Sequence, residues 1–468
     1  MANKDRLSGL DSSFLHLERD SAHMHVAGCA VFSGMAPAYE ELVEAISSRL
    51  HLVPRYRQRL AFVPFDQGRP VWVDDPHFNI TYHVRHTALP RPGDDDELKR
   101  LASRVFSQQL DRTRPLWELW LVEGLAGDRF ALLSKTHHAL VDGVSGVDIA
   151  TVLFDSSPDP MAVAPPEQEW VPRPLPTPPQ LLADAWIERA TVPAEIVRGV
   201  RAAARRPRRV ASRAGQAAVG LGAMTWAGVQ SAPPSPFNVR IGPHRRFTWV
   251  RGELAQFKLI KNLLGGTVND VVLAVVTGAL GRYMRLHGHR TGGVELKAMV
   301  PVSVRADVER GALGNQVAAM WAPLPVGITD PVKRLQTISA AMEGIKESGQ
   351  AVGAQVLTGL SGFAPPTIMA QAARLQARQR LFNLVVTNVP GPQMPLYVLG
   401  KEMEEVYPVA FLPKNHCLAV AIMSYNGKVG FGLLADYDCM EDIDVVSNGL
   451  SESLAELEAA AGKSVKAA

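Results

Sequence analysis

The stretch Lys135-Thr136-His137-His138-Ala139-Leu140-Val141-Asp142-Gly143 sets a histidine pair at the junction of two unlike patterns. Before it, Trp117–Glu123 and Phe130–Thr136 read as strands, with Gly124–Arg129 as the turn between them. After it, Val147, Ala150, Leu153 and Phe154 recur at helical spacing and predict a helix just past Gly143. The histidines therefore sit on a strand-to-helix turn, where side chains project into a cleft. A base, a carboxylate and a glycine turn within seven residues make a compact acid–base device. His138 is the candidate general base. A neutral imidazole, with a reference pKa of about 6.5, accepts a proton near neutral pH. The N-terminus of the following helix favours that neutral form, and a positioned base is worth ~10²- to 10⁴-fold in rate. Asp142 is expected to bond the histidine or to hold the turn by pairing with an arginine, because a buried carboxylate needs a partner. Arg305, closing the apolar strand Met299–Val304, is the candidate partner. Gly143 is expected to allow a backbone shape that a Cβ would obstruct. His137 is expected to turn its ring toward the core.

Two other chemistries fit poorly. Adjacent histidines in an extended segment point in opposite directions, so they rarely share one ion. No separate Cys/His cluster completes a metal site, and none is expected. Gly143-Val144-Ser145-Gly146 only approaches the Gly-x-Ser-x-Gly of a serine hydrolase. Cys29, Cys417 and Cys439 match no metal spacing and read as free thiols in a reducing compartment.

The chain has 468 residues, is 47% hydrophobic and carries a net charge of +3. It can bury a large core in two or three domains, and no whole-chain field argues for nucleic acid. Residues 1–9 lack an apolar signal core, and no run of 18 uncharged apolar residues predicts a spanning helix. Helices are expected over Pro37–Leu50, from Asp94 onward, over Thr267–Leu280, from Thr329-Asp330-Pro331, and near Leu450–Leu457. Asn269-Asp270 ahead of Val271 suits a helix cap. Leu296–Val304 and Leu381–Val389 read as core strands, and Asn426-Gly427 as the turn of a hairpin. Ser156–Pro179 is proline-rich and reads as a linker or surface excursion. Between Glu195 and Glu253 there are eleven arginines and no acidic residue, seven of the arginines lying from Arg198 to Arg213. That run reads as a solvated helix face or as a patch for anionic lipid or CoA phosphates.

His137-His138-Ala139-Leu140-Val141-Asp142-Gly143 resembles the HHxxxDG signature of CoA-dependent acyltransferases. More narrowly, the chain resembles the bacterial wax ester synthase/diacylglycerol acyltransferase family. Leu7–Phe14 and Met24-His25-Val26 resemble that family's opening. Arg114-Pro115-Leu116-Trp117-Glu118 resembles its PLW motif, Asn269–Ala274 its ND motif and Asn388-Val389-Pro390-Gly391-Pro392 its PGP stretch. Residues 156–235 carry no recognised motif.

The resemblance implies an α/β fold of two acyltransferase subdomains, each a mixed sheet with helices, and an active-site channel at their interface. The expected divisions are 1–180, an Arg-rich linker or helical segment over 181–235, and 236–468. It implies no cofactor, with long-chain acyl-CoA as substrate and diacylglycerol or a fatty alcohol as acceptor. His138 would deprotonate the hydroxyl for direct attack on the thioester. Asn269 would serve the oxyanion pocket, while Pro115, Leu116, Trp117, Asp270, Pro390 and Gly391 would shape the channel. Trp117, whose side chain is unsuited to proton transfer, reads as core or channel lining rather than catalytic. Gly391 is expected to allow an unusual backbone angle in a rigid turn. The implied location is cytoplasmic, peripherally attached to the inner membrane or to lipid droplets. Two alternatives keep the fold: an enzyme using a carrier-protein-bound substrate, and a catalytically silent lipid-binding protein.

Overall fold

The computed structural model describes residues 5–18, 21–140, 153–159, 163–188, 190, 231–303, 317–347 and 380–467. The helix expected after Gly143 and the arginine run of 198–213 lie outside these residues, as do Asp142, Gly143 and Arg305.

The described strands are β1 (His25–Ser33), β2 (Gln58–Ala61), β3 (Val71–Asp74), β4 (Val84–Ala88), β5 (Trp117–Leu125), β6 (Arg129–His137), β7 (Arg245–Glu253), β8 (Leu296–Ser303), β9 (Val317–Leu324), β10 (Leu384–Pro390), β11 (Tyr397–Val398), β12 (Lys401–Val409), β13 (Leu418–Tyr425) and β14 (Lys428–Asp436). They form two six-stranded sheets and a small β2–β3 ribbon. The first sheet runs β11-β12-β1-β6-β5-β4 and the second β7-β14-β13-β10-β8-β9. Each mixes antiparallel with parallel pairs: β4 with β5 in the first, β10 with both β8 and β13 in the second. The α/β class with two sheet-containing halves is the one expected.

Alternation sorts the first sheet's side chains onto two cores. Cys29, Val31, Ala131 and Leu133 face the helix Asp95–Ser107 and join the larger core, which continues through the second sheet and the helix Val268–Leu286. Ala30, Phe32, Phe130 and Leu132 face the other way, onto the helix Tyr39–Arg49 through Leu42 and Ile46.

Strands from the stretch 236–468 also enter the first sheet. Lys401–Val409 leaves the second half and pairs antiparallel with β1, Cys29 lying opposite Tyr407. Glycines make this crossing possible. A Cβ on Gly432 would lie 1.9 Å from the Pro408 carbonyl oxygen, and one on Gly430 2.2 Å from that of Val406. Only bare backbone lets β14 approach β12 so closely.

The proline-rich excursion leads into a helix, at the start of the stretch read as a linker or helical segment. Residues 178–188 form a helix, and Leu181 and Ala185 pack on Val63 and Val71 of the ribbon region. The helix therefore belongs to the body. Among the described residues no single helix is long and apolar enough to cross a membrane.

Candidate active site at the end of the sixth strand

Backbone hydrogen bonds hold both histidines at the end of β6. The His137 amide donates to the Leu116 carbonyl at 3.0 Å, and the His138 amide to the Met24 carbonyl at 2.8 Å. The stretches resembling the PLW motif and the family's opening thus grip the histidine turn from either side. Leu140 N–H closes the turn onto the His137 carbonyl at 2.8 Å.

His137 is buried. Its Nδ1 accepts from the Ala139 amide at 3.0 Å, which leaves the proton on Nε2. Nε2 faces Glu18 Oε2 at 3.5 Å, at the far edge of an ionic contact. Burial works against the ionised Glu18, but His137 and Arg112 outweigh it and hold its carboxyl down to about 2. Arg112 Nε donates to Glu18 Oε2 at 2.7 Å, and its second nitrogen reaches the Leu15 carbonyl at 3.0 Å. Glu18 thereby anchors the ring of His137 to the segment that also supplies Phe14.

His138 is only half-buried, and its ring lies between two aromatics. Phe14 stacks on it at 4.0 Å, and Phe411 meets it edge-on at 5.8 Å. These apolar walls disfavour the charged form, and burial lowers its pKa to about 4. The imidazole is therefore neutral at pH 7. Its Nδ1 is buried and has no hydrogen-bond partner among the described residues. A neutral imidazole carries its proton on one ring nitrogen and offers the other as an acceptor to an incoming donor.

The other polar groups along the same strands have structural work. Lys135 is fully buried, donates to the carbonyls of Val105 and Gln108, and pairs with Glu118 at 3.1 Å. His25 Nε2 reaches the Phe106 carbonyl at 3.1 Å. Both satisfy carbonyls at the C-terminal end of the helix Asp95–Ser107, which have no partner within the helix itself.

The second half supplies an amide pair. Asn388, near the end of β10, donates from Nδ2 to Asn269 Oδ1 at 3.3 Å. This brings the ND and PGP stretches together and leaves the Asn269 Nδ2 hydrogens for another acceptor. Asn269 does not cap its helix. Thr267 does, its hydroxyl accepting from the Asp270 amide at 3.2 Å while Asp270 Oδ2 accepts from the Thr267 amide at 2.8 Å. Asp270 is buried in that reciprocal cap and also accepts from Ser339 Oγ at 3.3 Å, while its Oδ1 is buried with no partner among the described residues.

Leu116 and Trp117 are both buried. They belong to the core on the far face of the first sheet. Trp117 stacks on His83 at 4.7 Å and donates from its indole to the Tyr56 carbonyl at 2.8 Å. Pro115 is buried just ahead of them, its carbonyl accepting from the Trp117 amide at 2.9 Å. Pro390 ends β10, opposite Ser424. Gly391 follows, and it is needed for close approach rather than for an unusual angle. A Cβ there would lie 2.4 Å from the Ser424 carbonyl oxygen, which accepts the Gly391 amide at 2.9 Å.

Glu18 and Phe411 are the site residues the sequence did not disclose. Each is remote in sequence from the histidines, and neither falls in a patterned stretch.

A family model described as the wax ester synthase/diacylglycerol acyltransferase catalytic domain matches residues 7–272. The WS/DGAT C-terminal domain matches residues 313–458. A Mycobacterium tuberculosis protein, named a probable diacylglycerol O-acyltransferase, tgs1, is 32% identical over 97% of this chain and 96% of its own. The solved wax ester synthase/diacylglycerol acyltransferase of Marinobacter aquaeolei VT8 is 31% identical, with a TM-score of 0.67 over 98% of this chain and 100% of its own. The starter condensation domain of rhizomide synthetase shares the fold alone, at 13% identity and a TM-score of 0.58 over 98% of this chain and 94% of its own.

Proposed function

The chain belongs to the wax ester synthase/diacylglycerol acyltransferase family, and we propose that it transfers the acyl group of a long-chain acyl-CoA to the hydroxyl of diacylglycerol, making triacylglycerol. Long-chain alcohols are the second acceptor class, giving wax esters. The carrying observation is His138: a neutral, half-buried imidazole between Phe14 and Phe411, with Nδ1 unpaired among the described residues.

In this mechanism His138 removes the acceptor's hydroxyl proton as the oxygen attacks the thioester carbonyl carbon. The carbonyl oxygen becomes an oxyanion. As it collapses, the carbon–sulfur bond breaks, and the imidazolium returns its proton to the leaving thiolate. The products are an ester and free CoA, and no acyl-enzyme forms. The Asn269 amide is the donor proposed for the oxyanion, with Asn388 as the residue that positions it. Asp142 is proposed to steady the histidine turn through an arginine, Arg305 being the candidate. Gly143 would let the backbone turn there. The channel between the halves, cytoplasmic location and peripheral attachment to the inner membrane or lipid droplets complete the proposal, because the acceptors reside in lipid.

His138→Ala tests the base. Turnover should fall by ~10²-fold or more, while circular dichroism and acyl-CoA binding stay close to those of the unmodified chain. Near-normal turnover would remove His138 from the mechanism.

A further inference from the structure

Beside the main core, the β2–β3 ribbon and the helix 178–188 form a small unit that holds large apolar side chains in solvent. Leu181 and Ala185, one helical turn apart, face the ribbon. Glu188, almost another turn on, binds Arg6 at 2.6 Å and Arg69 at 2.5 Å. These three residues fix which side of the helix is inward. Trp186 and Ile187 lie off that side and are 61% and 62% exposed.

The loop joining β2 to β3 adds two aromatics. Phe62 is 48% exposed and Phe65 84%. Phe65 and Asp66 both adopt left-handed backbone, with φ of 58° and 52°. Such a conformation is costly for an L-residue with a bulky side chain. Gln67 closes this turn, its amide donating to the Pro64 carbonyl at 3.3 Å, and the turn holds the Phe65 ring out in water. Val63, between the two aromatics, packs against the helix, so loop and helix share one support.

The charge that follows suggests what covers these side chains. The sequence beyond the helix carries seven arginines and no acidic residue over 198–213. Exposed Trp, Phe and Ile, followed in the sequence by a strongly cationic stretch, match the chemistry of an anionic bilayer surface, where aromatics enter the headgroup region and arginines meet phosphates.

We propose that Phe62, Phe65, Trp186 and Ile187 form the attachment face by which this protein docks on anionic phospholipid. The inference rests on the reading of a lipid acceptor and adds which surface meets the membrane.

The test is co-sedimentation of the full chain with sucrose-loaded vesicles, of phosphatidylcholine alone or with 30% phosphatidylglycerol added, and with no substrate present. The unmodified chain should bind the anionic vesicles, and 0.5 M salt should weaken that binding. A Phe65→Ser/Trp186→Ser/Ile187→Ser variant should bind at least tenfold more weakly, since three large apolar groups no longer leave water. Its acyl transfer to a short-chain, water-dispersed acceptor should match the unmodified chain, which also shows that it folds. Equal vesicle binding by variant and unmodified chain would overturn the proposal. So would equal binding to neutral and anionic vesicles. A concentration-dependent dimer that the variant abolishes, without vesicle binding, would assign the face to a second copy instead. The binding assay uses no substrate, so failure of the acyltransferase reading would appear separately, as absent transfer in both proteins.

Discussion

At the scale of single residues, the account turns on the charge of one imidazole. Phe14 and Phe411 keep His138 neutral by denying its cation water, and burial lowers its pKa to about 4. The neutral form is the base. Activity should therefore hold as pH falls from 7 to 5 and decline only as pH drops through about 4. The acid limb of kcat/KM reports this directly; a limb near 6.5 would point to a solvated histidine instead. Asn388 gives a second check. Asn388→Ala removes the bond that orients the Asn269 amide, and kcat should fall by roughly tenfold with KM little changed. Asn269→Ala removes the proposed donor itself and should cost about 10²- to 10³-fold. If both variants affect KM alone, the amide pair binds substrate and serves no oxyanion. Much at this scale was legible in the sequence, because His137, His138, Asn269 and Asn388 each fall in a short motif. Their partners were less so. Glu18 and Phe411 reach the site only when distant segments close on it. Thr267-x-x-Asp270 spells the reciprocal cap that begins the helix Val268–Leu286, which leaves the Asn269 side chain free of that duty.

At the scale of elements, local signals fixed type better than partnership. Asn426 and Gly427 have φ of 43° and 80° and join β13 to β14, as a hairpin turn requires. Asp94 caps the helix Asp95–Ser107 by accepting from the Glu97 amide at 2.9 Å. The sequence could not disclose that β12 leaves its own half for the first sheet, since a period-2 pattern shows a strand and not its neighbour. It also could not show the helix 178–188 packing on the ribbon, because a helical pattern does not name the surface it packs against. Gly391 ties element geometry to the site. Gly391→Ala would push a methyl group into the Ser424 carbonyl and break the bond that the Gly391 amide makes there. It should cost about 1–3 kcal/mol in denaturant unfolding. Stability equal to the unmodified chain would show that the end of β10 tolerates movement.

At the scale of the whole molecule, one core runs from the first sheet's inner face through the second sheet. The two halves are joined by strand exchange as well as by packing. That arrangement supports motif stretches far apart in sequence: one pair grips His137 and His138, another sets Asn269 against Asn388. Such long-range support is what an acyltransferase needs if it holds donor and acceptor together without a covalent intermediate. The central claim is acceptor-dependent transfer from CoA. The most direct measurement is CoA release from palmitoyl-CoA by the purified chain with diacylglycerol, with a long-chain alcohol and with no acceptor, the lipid products being identified by mass. The account predicts release only when an acceptor is present, with triacylglycerol or wax ester formed in equal amount. Acyl-CoA binding with no release under any of the three conditions would contradict it.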